Sequence, residues 1–74
     1  MERETQSIVF NTTDKTVKFY SGVPERSSLI KVYENIPTVR TEDRFYEVIQ
    51  NTHSGTRKPV LRLPISNTNM FIED

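Results

Sequence analysis

The side chain best suited to acid–base or nucleophilic chemistry in this sequence is its single histidine, His53. It lies in residues 51–56, a run of polar and glycine residues that is typical of a turn. A catalytic nucleophile needs a base within hydrogen-bond reach and a third group that orients the base. Because turns lie at the surface, we expect a solvated His53 and no catalytic residues.

The carboxylates lack the arrangement that acid–base catalysis requires, and the glycines lack the spacing that a phosphate-binding loop requires. Paired carboxylates act as acid and base when a cleft separates their pKa values, whereas the pairs here lie at the chain ends or in a turn. Gly22 and Gly55 are too far apart to form a phosphate-binding loop. With no cysteine and one histidine, the sequence predicts no metal site and no cofactor. Because no set of residues meets the criteria of an active site, we also expect a protein that is not an enzyme. The acidic pairs are Glu2 with Glu4, Glu42 with Asp43, and Glu73 with Asp74.

Tyrosines and a local basic cluster are the residues that could bind a partner. Tyrosine combines apolar area with a hydroxyl group and is enriched at binding surfaces, although the edge of a core is an alternative place for it. The basic cluster could contact phosphates or an acidic partner, or form a solvated face. The predicted binding surface comprises Tyr20, Tyr33, Tyr46, Arg57, Lys58 and Arg62.

Length and charge restrict the class of protein. A chain of 74 residues is long enough for one domain, 1–74, with a thin core. Ten acidic and ten basic residues give zero net charge, which disfavours bulk binding to nucleic acid. The first residues lack the apolar stretch of a signal peptide and the apolar runs are too short to span a bilayer. We therefore expect a cytoplasmic protein that has no membrane contact.

Short packets of apolar and β-branched residues, separated by turn-forming residues, predict an all-β domain. Alternation places Val17 and Phe19 on one face, and it places Leu61, Leu63 and Ile65 in the core. The architecture expected from this spacing is a small SH3-like barrel or a meander of five to six short strands. The predicted strands are Gln6–Asn11, Thr16–Ser21, Leu29–Ile36, Arg44–Gln50, Pro59–Ile65 and Met70–Glu73.

Two segments also fit helices, which leaves an α+β fold open. Apolar residues in 25–36 recur at helical spacing after a proline, and 41–54 begins like a helix with an N-cap and acidic residues. Both segments are dense in β-branched and aromatic residues, which favour strands.

From Leu29 onward the order of features resembles the second half of an SH3 domain. An aromatic-led segment starting at Phe45, a turn at Gly55, and Pro64 followed by Ser66-Asn67 carry the resemblance. It implies a barrel with a 3₁₀ turn before the last strand. The Trp pair and the Ala-Leu-Tyr-Asp-Tyr stretch of the SH3 peptide groove are absent, so recognition of Pro-rich peptides is not implied.

We hypothesise a non-enzymatic protein-interaction domain that presents a strand edge or a tyrosine-bearing face to a protein partner. Its size suggests a small accessory or regulatory protein of phage, prophage or bacterial type, although no motif carries that suggestion. One alternative is a single-stranded nucleic-acid binder that uses the basic cluster and aromatic stacking. The other alternative is a structural subunit that self-associates as a homo-oligomer.

Overall fold

Short strands account for most of the computed structural model, which describes residues 5–73. The helical segments within those residues are two 3₁₀ turns, Arg26–Ser28 and Ile65–Asn67. The predicted all-β class is therefore confirmed, and the helical alternatives for 25–36 and 41–54 are wrong. The strands are β1 (Gln6–Asn11), β2 (Thr16–Ser21), β3 (Leu29–Tyr33), β4 (Thr38–Thr41), β5 (Phe45–Asn51), β6 (Arg57–Pro64) and β7 (Thr68–Glu73).

The strands form two sheets that together do not close a barrel. The four-stranded sheet has the order β3-β2-β1-β7, and the three-stranded sheet has the order β4-β5-β6. Strand β1 pairs antiparallel with β2 and parallel with β7. A parallel pair cannot be joined by a tight turn, and here all the strands between β1 and β7 form the connection. The chain is therefore not a simple meander, and β3 and β7 lie at the edges of the larger sheet.

The turn between β1 and β2 depends on one asparagine side chain. The Asn11 carboxamide oxygen accepts hydrogen bonds from the backbone N–H groups of Thr13 (3.0 Å) and Asp14 (2.8 Å). Lys15 then adopts a positive φ of 58° and returns the chain into β2. Because this turn is specified locally, both strand boundaries agree with the sequence prediction.

The chain leaves the four-stranded sheet earlier than the sequence predicts. We expected one strand over Leu29–Ile36, but β3 ends at Tyr33 and a separate strand, β4, follows a short link. In that link Asn35 has a φ of 58°, which is incompatible with a continuous strand. The structure consequently has seven strands among its described residues rather than five to six.

The link is fastened on both sides by backbone hydrogen bonds. The Ile36 N–H donates to the Lys15 carbonyl at 2.9 Å, and the Asn35 carbonyl accepts from the Asn51 N–H at 2.9 Å. The Gln50 side chain also donates to the Glu34 carbonyl at 2.9 Å. These contacts join the β1–β2 turn to the end of β5 and direct the Ile36 side chain into the core.

Both sheets and the link contribute side chains to one core. Leu63 is buried as predicted, whereas Leu61 and Ile65 are half-buried. Leu61 packs against the core, but Ile65 begins a 3₁₀ turn, where strand alternation has already ended. The buried cluster consists of Ile8, Phe10, Val17, Ile36, Val48 and Leu63.

Irregular pairing in each sheet leaves one residue unopposed. In the smaller sheet Val48 pairs with Leu61 and Ile49 with Pro59, so Val60 has no partner across the strand. In the larger sheet Phe19 pairs with Lys31 and Tyr20 with Leu29, which leaves Ile30 unopposed on β3. A bulge of this kind bends its strand and redirects side chains, often close to a functional site.

The conformation of Asn35 gives a prediction about stability. A β-branched residue at this positive φ is strained, whereas glycine adopts it without strain. We expect Asn35→Val to lower the free energy of unfolding by about 1–3 kcal/mol, and Asn35→Gly to change it little. Chemical denaturation measures both, and equal stability of the valine and glycine variants would contradict the account of this link.

Candidate interaction surface

The three tyrosines of the predicted binding surface occupy different environments. Tyr33 and Tyr46 are half-buried and pack against the core cluster. Tyr20 points to the other face of the four-stranded sheet, where it lines a shallow groove with Lys18 and Phe71. The tyrosines therefore do not form one shared surface.

The basic residues of the predicted surface are also divided. Arg57 and Lys58 are exposed at the start of β6, next to the hairpin turn that contains the exposed His53. Arg62, further along β6, pairs across the sheet with Glu47 and holds its guanidinium group 4.5 Å from the centre of the Phe45 ring. Arg62 thus has a different set of neighbours from Arg57 and Lys58.

A row of alternating charges crosses the three-stranded sheet at Arg62. The Glu47 carboxylate lies 3.9 Å from Arg62 Nε and 3.8 Å from Arg40 Nη1, and Arg40 Nη2 contacts Glu42 at 2.7 Å. Two arginines and two glutamates balance one another in this row. The Glu47 side chain is only 15% exposed, but both of its arginine partners are exposed to solvent. Surface ion pairs contribute at most about 1 kcal/mol each, so the row contributes more to the register of the strands than to the free energy of unfolding.

Tyr33 and Lys58 both line one open groove of ≈ 570 Å³ between β3 and β6. Both strands are sheet edges, so the groove occupies a gap between the two sheets. The Lys31 ammonium group lies 5.0 Å from the centre of the Tyr33 ring, within range of a cation–π interaction. The groove is lined by Lys31, Val32, Tyr33, Glu34, Gln50, Lys58, Pro59 and Val60.

Exposed apolar side chains concentrate on the two edges of the four-stranded sheet. On β3, Leu29, Ile30 and Val32 are exposed, with Ile30 57% accessible. On β7, Phe71 and Ile72 are exposed, with Ile72 64% accessible. Natural proteins usually protect edge strands with charges, prolines or covering loops, because an edge can pair with another chain. These two edges carry apolar side chains instead, and β3 has one charged residue, Lys31.

The sequence contained part of this information. The run Leu29-Ile30-Lys31-Val32-Tyr33 has strand-forming composition, which predicts the strand and leaves its exposure open. Which strands lie at an edge depends on the pairing of β1 with β7, which no local pattern encodes. Sequence reasoning therefore missed Ile30, Val32, Phe71 and Ile72 as exposed residues.

Within residues 5–73, no group of three or more histidine, cysteine, aspartate or glutamate side chains is arranged to hold a metal ion. The same part of the chain contains no helix long and apolar enough to cross a membrane. The acidic pair Glu2 and Glu4 and the last residue, Asp74, lie outside the described residues.

Within the described residues, the fold is a small all-β domain of two sheets, and the four-stranded sheet has two apolar edges without a neighbouring strand. Comparison of the chain with protein-family models, with curated proteins and with solved structures finds no match. The arguments for function below consequently depend on the geometry of this chain alone.

Proposed function

We propose that this protein is a non-enzymatic protein-interaction domain whose β3 edge binds an extended segment of a partner protein. The observation that carries the proposal is the exposure of Leu29, Ile30 and Val32 on a strand with one unpaired side. An added strand would hydrogen-bond to that side, and alternate side chains of the partner would contact these apolar residues. Backbone pairing supplies affinity in this mode of recognition, and the side-chain contacts supply specificity.

The groove beside β3 supports the same proposal. It offers apolar surface from Val32, Pro59 and Val60 next to the Tyr33 ring, among polar and charged side chains, so it suits a partner segment that combines apolar and polar residues. Lys31 and Lys58 contribute two positive charges and Glu34 one negative charge. We therefore propose an extended partner segment that places apolar side chains against the exposed residues of β3 and an acidic residue beside the two lysines of the groove.

An SH3-like architecture is the finer structural part of the proposal. The 3₁₀ turn at Ile65–Asn67, directly before the last strand, supports it. The parallel pairing of β1 with β7 and the open gap between β3 and β6 are departures from a closed barrel. A cytoplasmic accessory or regulatory role is compatible with this proposal and stays a prediction.

Single-stranded nucleic-acid binding has less support than protein binding. It would need the cations of β6 to act together with exposed aromatic rings. Arg62 is instead placed against Glu47 and the Phe45 ring, and two of the three tyrosines are packed against the core. The observed geometry therefore favours a protein partner.

The proposal is tested by selecting binding peptides from a random library and measuring their affinity for two edge variants. Val32→Lys places a charge on β3, so we expect it to raise the Kd of the selected peptides by about tenfold or more. Ile72→Lys is the matched control, because it places the same charge at an exposed position on β7, and it should leave the Kd unchanged. Amide shifts in nuclear magnetic resonance should be largest for Leu29–Tyr33.

Two results would contradict binding at β3. One is equal peptide affinity of Val32→Lys and the original protein, with both variants folded by circular dichroism. The other is a set of peptide-induced amide shifts centred on the charge row of Arg40, Glu47 and Arg62.

A further inference from the structure

Within the part of the chain that the structure describes, β7 is the other edge of the four-stranded sheet without a neighbouring strand, and its sequence is self-complementary. The Glu73 carbonyl accepts a hydrogen bond from the Thr12 N–H at 3.0 Å, at the end of the β1–β7 pair. This bond shows that the backbone N–H and C=O groups of Glu73 point toward β1. Along a parallel strand, alternate residues direct both N–H and C=O to the same neighbour. Phe71 therefore also faces β1 with its backbone, whereas Met70 and Ile72 direct their N–H and C=O groups to the free edge.

We propose that β7 pairs antiparallel with β7 of a second copy of this chain, about a two-fold axis at Phe71. In that register Met70 lies opposite Ile72 of the second copy, and these two residues exchange two backbone hydrogen bonds. The two-fold axis generates a second pair, Ile72 opposite Met70 of the second copy, so four backbone hydrogen bonds join the two chains. The backbone groups used are those that β1 leaves unpaired.

The side chains of β7 match one another in this register. Residues directly opposite in an antiparallel pair project to the same face. On one face Phe71 lies opposite Phe71 of the second copy, and on the other Met70 lies opposite Ile72. At each end Asn69 lies opposite Glu73, so a carboxamide N–H can donate to a carboxylate. The pairing covers the two most exposed apolar residues of β7 and opposes no like charges.

Other pairings of the edges are less favourable. A two-fold axis at Met70 would place Phe71 opposite Asn69, and Ile72 opposite Thr68, whose hydroxyl group is buried and donates to the Pro64 carbonyl at 2.6 Å. Pairing the full length of β3 with itself would place Lys31 opposite Lys31, which is destabilising. Pairing β3 with β7 of another copy is a head-to-tail contact, which builds rings or filaments rather than a two-fold dimer. The second copy thus fits β7, and β3 is left for a different partner.

The expected dimer is weak. One pair of strands covers less surface than the roughly 1,200–2,000 Å² of a standard stable interface, and smaller contacts are typical of transient complexes. We therefore expect a Kd in the micromolar to millimolar range, measurable by sedimentation of the full chain at concentrations up to about 1 mM.

A charge-exchange experiment tests the register. Phe71→Lys and Phe71→Glu each place like charges on the two-fold axis, so each variant alone should raise the dimer Kd by about tenfold or more. An equimolar mixture of the two should form a heterodimer, because Lys and Glu then lie directly opposite one another. Val32→Lys, which changes the other edge, is the control and should leave the dimer Kd unchanged. Recovery in the mixture also shows that both variants fold.

Several outcomes would overturn the proposal. They are a monomer at every concentration, failure of the mixture to associate when both variants are folded, loss of association in Val32→Lys, or oligomers larger than a dimer. The first two results leave peptide binding at β3 untouched, because that proposal is measured on a different edge with a different readout. Loss of association in Val32→Lys would instead assign self-association to β3.

Discussion

Replacing Ile36 by alanine is expected to lower the free energy of unfolding by about 2–5 kcal/mol. Its side chain is 0% exposed and belongs to the core cluster that both sheets contribute to. The substitution removes apolar contacts and leaves a cavity that a tightly fastened link cannot fill. The link is held by backbone hydrogen bonds to Lys15 and Asn51, so it has little freedom to relax.

The consequence for the whole protein is large because a domain of this size has only a few kcal/mol of stability. We expect the Ile36→Ala protein to be partly or fully unfolded at about 37 °C. Urea denaturation followed by circular dichroism measures the change. Ile30→Ala is the matched control, because the same side-chain atoms are removed at an exposed position, and its stability should change by less than about 0.5 kcal/mol. Similar losses in the two variants would refute the placement of Ile36 in the core.

Replacing Ser7 by alanine is expected to cost about 1–3 kcal/mol, a large effect for one hydroxyl group. Ser7 is 0% exposed and lies in the central strand β1, between Tyr20 of β2 and Asn69 of β7. Its hydroxyl group donates to the Gly22 carbonyl at 2.6 Å. The substitution leaves that carbonyl without this partner and releases the loop that follows β2.

Ser21→Ala provides the comparison for this prediction. Ser21 is an exposed serine at the end of β2, so its substitution should leave the free energy of unfolding almost unchanged. Denaturation measures the two variants, and hydrogen exchange of the Gly22, Val23 and Glu25 amides should become faster in Ser7→Ala alone. A Ser7→Ala protein as stable as Ser21→Ala, with unchanged exchange, would show that the hydroxyl group does not hold this loop.

Which of the predicted binding residues lie next to one another could not be predicted from local sequence patterns. Tyr33 and Lys58 were predicted as binding residues from their types, and the structure brings these two together in the groove between β3 and β6. Arg62 was predicted beside Lys58, but alternation along β6 and the attraction of Glu47 give it other neighbours. Residue type indicates what a side chain can do, whereas its neighbours depend on strand pairing.

The sequence by itself determined the all-β class and the bounds of β1 and β2, because alternation and the Asn11 turn act within a few residues. It also indicated a 3₁₀ turn before the last strand, where Ser66 and Asn67 favour such a turn. Only the tertiary structure decided that β7 returns to lie parallel to β1, which leaves β3 and β7 as edges. It also decided that Ile36 leaves its strand and enters the core. The reason is that periodicity records which side of a strand is buried, whereas its partner is selected by contacts between residues far apart in the chain.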